Sequence, residues 1–324
     1  MDVNNTLSGF HSMAATFAND VHQAFWVNFW ISMILGLSVI VPMFYFAWKY
    51  RESNVKDEEI ENVTHNTKLE IAWTLIPTLL MMVLFYYGYT SMKSLRTMPA
   101  ESESIVVKVE GSKWKWKYEY PANKSGYVHK ITSLYDQSIG DVKRSLYVPV
   151  GTNIILEMTA PLNDVIHAYY VPAFRMKEDV VPGRVTKQWF KADAVGTYDV
   201  ECAEYCGTAH SYMYSKIVVM EKEAYDAWFE SKNPSPFEEA GSMSKGQQLY
   251  EENGCAACHA IDSDATLVGP SLKGIGKKHD AAYLKNAILT PDKDVPAGFF
   301  PGVMPPYGLS DADAAELVKY LQEL

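Results

Sequence analysis

Residues 202–213 read Cys202-Ala-Glu-Tyr-Cys206-Gly-Thr-Ala-His210-Ser-Tyr-Met213. Two thiols, an imidazole and a thioether fall in this one stretch, a soft ligand set that suits copper used for electron transfer. A mononuclear blue-copper loop needs one Cys, one His and a weak axial Met. Here a second cysteine follows the first by four residues, and two thiolates so spaced can bridge two metal ions. The strand candidates Gly196–Glu201 and Ser215–Met220 flank the stretch, so it reads as a ligand loop between two β-strands.

The strands continue upstream. Trp114, Trp116, Tyr118 and Tyr120 occupy every second position, with Lys113, Lys115, Lys117 and Glu119 between them, which gives one aromatic and one charged face. Further candidates are Arg144–Val148, Asn153–Met158 and Thr186–Phe190, separated by turn residues. The pattern predicts an antiparallel sandwich or Greek-key barrel over residues 100–231, closed by a helix at Glu221–Ser231. Two bridged coppers each want a terminal nitrogen. His210 supplies one, and His167, after a strand and a Pro-Leu-Asn turn, is the better choice for the other. His129 is the competitor, among polar residues with no metal-type neighbour.

Downstream, Asn233-Pro-Ser-Pro236 breaks the chain, and a linker is placed at 232–241. The last unit, 242–324, reads mostly helical. It holds Cys255-Ala-Ala-Cys258-His259, the attachment signature of a c-type haem, in which two thiols add to the vinyl groups and the histidine ligates iron. Met304 is the candidate for the sixth position, with His279 the weaker one. A terminal helix from Asp311, with Ser310 as N-cap and Asp313 in the capping box, packs its apolar stripe on a helix at Lys245–Asn253. Structural zinc or disulfides are the alternatives for the cysteines. Zinc leaves His210, Met213, His259 and Met304 without a role, and the two cysteine pairs fall in units of different composition.

The mean hydropathy of −0.13 hides segregation. Residues Phe25–Trp48 and Ile71–Tyr89 are free of charge and bordered by Trp and Tyr, which reads as a transmembrane hairpin over 25–92, with spans near 25–48 and 70–90. Met1 to Ala24 has no Lys or Arg, whereas the connection carries Lys49, Arg51, Lys56 and Lys68. The connection is therefore expected on the cytoplasmic side, and the segment 1–24 and both termini outside. No basic n-region or cleavage site precedes the first span, so no secretory signal is read there.

Together these residues resemble subunit II of the haem-copper cytochrome c oxidases, in the form with a fused cytochrome c. The likeness runs through His65-Asn-Thr-Lys-Leu-Glu70-Ile-Ala-Trp73-Thr-Leu-Ile-Pro77, the Trp114–Tyr120 strand, Asp164-Val-Ile-His167-Ala-Tyr-Tyr-Val-Pro172 with Lys177–Arg184, and Cys202–Met213. It implies a two-helix membrane hairpin, a cupredoxin-like β-sandwich and an all-α class I cytochrome c. It also implies a dinuclear copper centre: Cys202 and Cys206 as bridges, His167 and His210 as terminal ligands, Met213 as axial ligand, and the Glu204 carbonyl. The Glu204 side chain would help bind Mg²⁺ at the boundary with the catalytic subunit. Cys255 and Cys258 would hold haem c, His259 and Met304 its iron, and Pro270 would orient His259. Trp114 resembles the electron-entry aromatic, Glu70 a proton-entry carboxylate, and Asp179 and Arg184 residues of the subunit I interface. Ala168 departs from the family, where a hydroxyl residue is commoner.

The expected function is that of an oxidase subunit. It takes electrons from a cytochrome c or a quinol-oxidising complex, in a possible supercomplex, through its own haem to the coppers and on to the O₂-reducing subunit. Its place would be the bacterial inner membrane, beside the other oxidase subunits, with the copper and cytochrome domains periplasmic and no nucleic acid among its partners. The alternatives are the equivalent subunit of a copper-containing nitric oxide reductase and a membrane-anchored copper assembly protein.

Overall fold

The structure is a computed structural model that describes residues 13–54, 64–133, 135–136, 140–142, 144–233, 235–236 and 244–324. The two apolar runs form α1 (Ala18–Lys49) and α2 (Thr67–Arg96), of 32 and 30 residues. At about 1.5 Å per residue each outreaches a bilayer core of about 30 Å. Their apolar side chains, such as Ile34, Phe44, Leu79 and Phe85, face outward rather than into protein. A helix whose surroundings are lipid satisfies its backbone internally and leaves its side chains outside. Both helices run past the charge-free spans, through Asp20 at one start and Lys93 and Arg96 at the other end, because backbone hydrogen bonding does not require apolar residues. Lys56, in the connection, and residues 1–12 of the N-terminal segment lie outside the described residues.

The described residues of 104–220 form the strands β1 (Ser104–Ser112), β2 (Lys115–Ala122), β3 (Val128–Ser133), β4 (Tyr135–Asp136), β5 (Asp141–Val142), β6 (Leu146–Pro149), β7 (Asn153–Thr159), β8 (His167–Val171), β9 (Met176–Val180), β10 (Thr186–Lys191), β11 (Gly196–Cys202) and β12 (Tyr214–Met220). One sheet has the order β10-β7-β1-β2-β3, the other β6-β12-β11-β8-β9, and β4-β5 is a separate ribbon. Each large sheet is antiparallel except at one pair, β1 with β7 and β6 with β12. Parallel partners need a crossover, and here the chain supplies it by passing through the strands between. The alternation in β2 sends Trp116, Tyr118 and Tyr120 into the core, all at most 2 % exposed. Tyr118 is hydrogen-bonded to Tyr169 at 3.2 Å and to Ser215 at 2.9 Å, which ties the two sheets across the core.

Helix α3 (Lys222–Phe229) closes the sandwich, burying Tyr225 and Trp228. The last unit holds α4 (Lys245–Glu252), α5 (Ile275–Lys278), α6 (Ala281–Leu289) and α7 (Asp311–Glu323). Ser244, Asp280 and Ser310 cap α4, α6 and α7 through their side chains. At Gly246 an added Cβ would lie 2.2 Å from the Glu316 carbonyl oxygen, so α4 and α7 cross backbone against backbone. Leu249, Tyr250, Leu284, Ile288, Leu317 and Leu321 form the core beneath. Of the linker at 232–241, residues 234 and 237–241 lie outside the described residues.

Candidate metal centres

β8 and β11 are neighbours, and their register pairs Tyr169 with Cys202. His167, two residues before Tyr169, lies on the same face of β8 one pleat further on. That brings it beside Cys202 without a loop: His167 begins a strand, where a loop position is expected from the sequence. Its Nδ1 stands 3.9 Å from Cys202 Sγ, and the two sulfurs are 3.8 Å apart. That separation is far beyond an S–S bond of about 2.05 Å. On the other side His210 Nδ1 lies 3.4 Å from Cys206 Sγ, and Met213 Sδ lies 3.7 Å from it. The Glu204 carbonyl oxygen is 3.2 Å from Cys202 Sγ. All six donors expected from the sequence converge. His167, Cys202 and Cys206 are buried and keep their ligand atoms within 4.8 Å of one another. Each histidine faces a different sulfur. In the thiol pair the hydrogen bond from Cys206, with His167 beside it, draws the Cys202 pKa down, while the same bond pushes Cys206 up. Soft sulfur and imidazole donors held ready in a buried pocket fit copper.

A carboxylate holds this site from behind. Asp164 Oδ1 is 3.4 Å from His167 Nε2, accepts from Val165 N at 2.7 Å, and its Oδ2 accepts from Lys113 N at 3.1 Å. Burial opposes charge on both groups. The attraction between Asp164 and His167 outweighs it, helped by the backbone N–H groups of Val165 and Lys113 on Asp164 and by Cys202 beside His167, so the Asp164 pKa falls and that of His167 rises. Asp164 carries no expected role in the sequence. The segment it grips leads to Trp114, whose Nε1 donates to the Cys206 carbonyl at 3.2 Å. Gly207, at φ 116°, leaves the space that this indole fills. Trp116 packs edge-on against Tyr169 and His167.

In the last unit a tight turn at Cys255–Ala257 presents both thiols and His259 to one cavity of about 410 Å³. Met304 lines the same cavity, as does His279. His259 Nδ1 is 2.7 Å from the Pro270 carbonyl oxygen, which leaves Nε2 to point into the cavity as donor. Burial lowers the His259 pKa against the opposing pull of the Pro270 carbonyl, and so favours the neutral ring that iron ligation needs. An added Cβ at Gly269 would come 2.5 Å from the ring, so only glycine lets the imidazole lie there. Burial raises the thiols, Cys255 to about 12 and Cys258 to about 11. The cavity size, the apolar lining and the two thiols beside a fixed imidazole fit a covalently attached haem.

The remaining candidates lie apart from these clusters. Glu70 caps its own helix: Oε1 accepts from Asn66 N at 3.0 Å while Asn66 Oδ1 accepts from Leu69 N at 3.1 Å. Glu204, Asp179 and Arg184 are exposed, as are the apolar Leu162, Val185 and Tyr205. His129 is buried in an aromatic cage with Nε2 3.0 Å from the Phe229 carbonyl oxygen, far from any ligand set.

Comparison with known proteins agrees with this order of parts. Residues 4–90 match the family model described as cytochrome c oxidase subunit II, transmembrane domain. Residues 105–221 match cytochrome c oxidase subunit II, periplasmic domain, and residues 243–324 match cytochrome c. Cytochrome c oxidase subunit 2 of Alkalihalophilus pseudofirmus is 31 % identical, over 93 % of this chain and 88 % of that protein. That of Bacillus subtilis is 27 % identical, over 91 % and 85 %. Among solved structures, the periplasmic domain of subunit II from Bradyrhizobium japonicum is 34 % identical over 41 % of this chain and 95 % of its own, with a TM-score of 0.37. The chain belongs to the cytochrome c oxidase subunit II family, and it carries a cytochrome c domain at its C-terminal end.

Proposed function

We propose that the chain is the electron-transfer subunit of a haem-copper oxidase with two coppers and one haem c of its own. Cys202, Cys206, His167, His210, Met213 and the Glu204 carbonyl would hold the coppers. Cys255 and Cys258 attach the haem, and His259 and Met304 face its iron. When bound, these groups supply reversible one-electron storage in series between an external donor and the O₂-reducing subunit. The observation that carries the reading is the convergence of six donors with each histidine on a different sulfur.

The protein's part is to keep the donors still. Asp164 faces the far nitrogen of His167 at 3.4 Å, and the Pro270 carbonyl holds that of His259 at 2.7 Å. Such outer contacts set ring orientation and ligand basicity. Cross-sheet bonds and edge-on aromatic packing leave the ligands little room to rearrange, which keeps the barrier to electron transfer low. The Glu204 side chain is exposed next to Tyr205 in the chain and suits an Mg²⁺ shared with the catalytic subunit. Asp179 and Arg184 belong to the same docking face, and Glu70 is the proton-entry candidate at the start of α2. The membrane orientation has support as well. Ala14 N donates to the Ala173 carbonyl and Asp193 N to that of Ala14, so the chain just before α1 joins the copper domain. The Lys and Arg residues of the connection put that loop on the cytoplasmic side and both ends of the hairpin on the periplasmic side. The donor is a small cytochrome c or a quinol-oxidising complex docked in a supercomplex.

Metal analysis of the purified chain tests the reading. Two coppers per haem iron are expected, with an electron-spin signal delocalised over two nuclei. One copper per iron contradicts the dinuclear assignment.

A further inference from the structure

The turn that carries the haem-attachment cysteines is held against the copper domain by charged side chains. Lys115, the first residue of β2, is 6 % exposed, and its Nζ donates to the Asn253 carbonyl at 2.6 Å. Its stem lies on Gly254. An added Cβ there would come 3.0 Å from Lys115 Cδ, and the backbone is left-handed at φ 74°, so space and conformation both require glycine. The ammonium also stands 5.6 Å from the centre of the Tyr307 ring, within cation–π reach. Beside it Arg144 and Glu251, both nearly buried, pair at 3.0 Å.

The covalent neighbours of these groups matter. Asn253 and Gly254 lead directly into Cys255, and Lys115 directly follows Trp114, whose indole donates to the Cys206 carbonyl. We infer that Lys115, with the Arg144–Glu251 pair, is a latch that docks the haem turn on the copper domain and makes Asn253, Lys115, Trp114 and Cys206 the bridge between the two centres. This rests on the assignment of haem to Cys255 and copper to Cys206. Lysine is almost never buried unless paired, and here its hydrogen bond and its ring contact both reach the other domain. Burial lowers its pKa to about 8, so the charge persists at neutral pH. Buried charges fix register more than they add affinity: sliding the domains would strand both cations.

The test uses the complete oxidase with Lys115→Met and, separately, Glu251→Gln. Spectra and midpoint potentials of both centres should match the parent. Loss of one charged hydrogen bond should weaken docking by about tenfold, and electron transfer from haem to copper after a flash should slow as the docked population falls. Hydrogen exchange over residues 245–258 should quicken. If Lys115→Met does not assemble, Glu251→Gln decides alone. Unchanged rate and exchange, with both centres loaded, overturn the latch. Absence of the haem c or copper signal from the parent overturns the underlying assignment instead, and is seen before any variant is made.

Discussion

The ligand residues were legible because the chain gathers most of them in one loop. Cys202, Cys206, His210 and Met213 lie together, and C-x-x-C-H has one common chemical meaning. Asp164 was not legible: it acts through the far nitrogen of His167, and a carboxylate three residues before a histidine has no distinctive spacing. Replacing Asp164 with Ala should lower copper affinity by about 10–100-fold, the usual cost of losing a partner behind a ligating histidine. The check is a competition titration with a chelator, and unaltered affinity would show that Asp164 only braces Lys113. Met304 and His279 line the same cavity, so the sequence preference for Met304 needs a direct test. Met as iron ligand raises the potential of a c-type haem. Met304→His should therefore lower the midpoint potential measured by redox titration, while His279→Ala should leave it in place.

At the scale of elements, the strongly alternating strand around Trp116 was readable from its pattern. β8 and β9 were not, because Ala168-Tyr-Tyr-Val and Met176–Val180 lack clean alternation. Their place comes from pairing: β8 with β11, and β9 with β8. The parallel pairs were equally hidden, since short turns suggest hairpins and a crossover leaves no local mark. Helix α3 is held by His129, which lies between Tyr127, Trp228 and Phe229. Burial lowers the His129 pKa, with the Phe229 carbonyl opposing. The unfolded chain then takes up this proton first, at about pH 6.5. Stability from this group is whole above that value and is lost as pH falls below it. Denaturant melts between pH 7.5 and 5 should show the loss, and His129→Phe should remove its part of the slope. An equal slope in the variant would place the effect elsewhere.

For the whole molecule, the order of membrane hairpin, β-sandwich and helical cytochrome was open to sequence reasoning because each part has its own periodicity. Helix ends were less so: α1 begins at Ala18, since polar residues extend a helix without extending its apolar span. The contact between the copper and haem domains could not be read at all. Lys115 resembles the other solvent-facing lysines of its strand, and Arg144 is an ordinary cation until Glu251 is folded beside it. The central claim is that this chain relays electrons from its own haem to its own coppers. The most direct measurement injects one electron into the haem of the purified oxidase and follows the haem and copper absorption together. The haem should be reoxidised as the coppers are reduced, in equal amounts, before any haem of the catalytic subunit gains the electron. Reduction of the catalytic subunit with no passage through copper would contradict it.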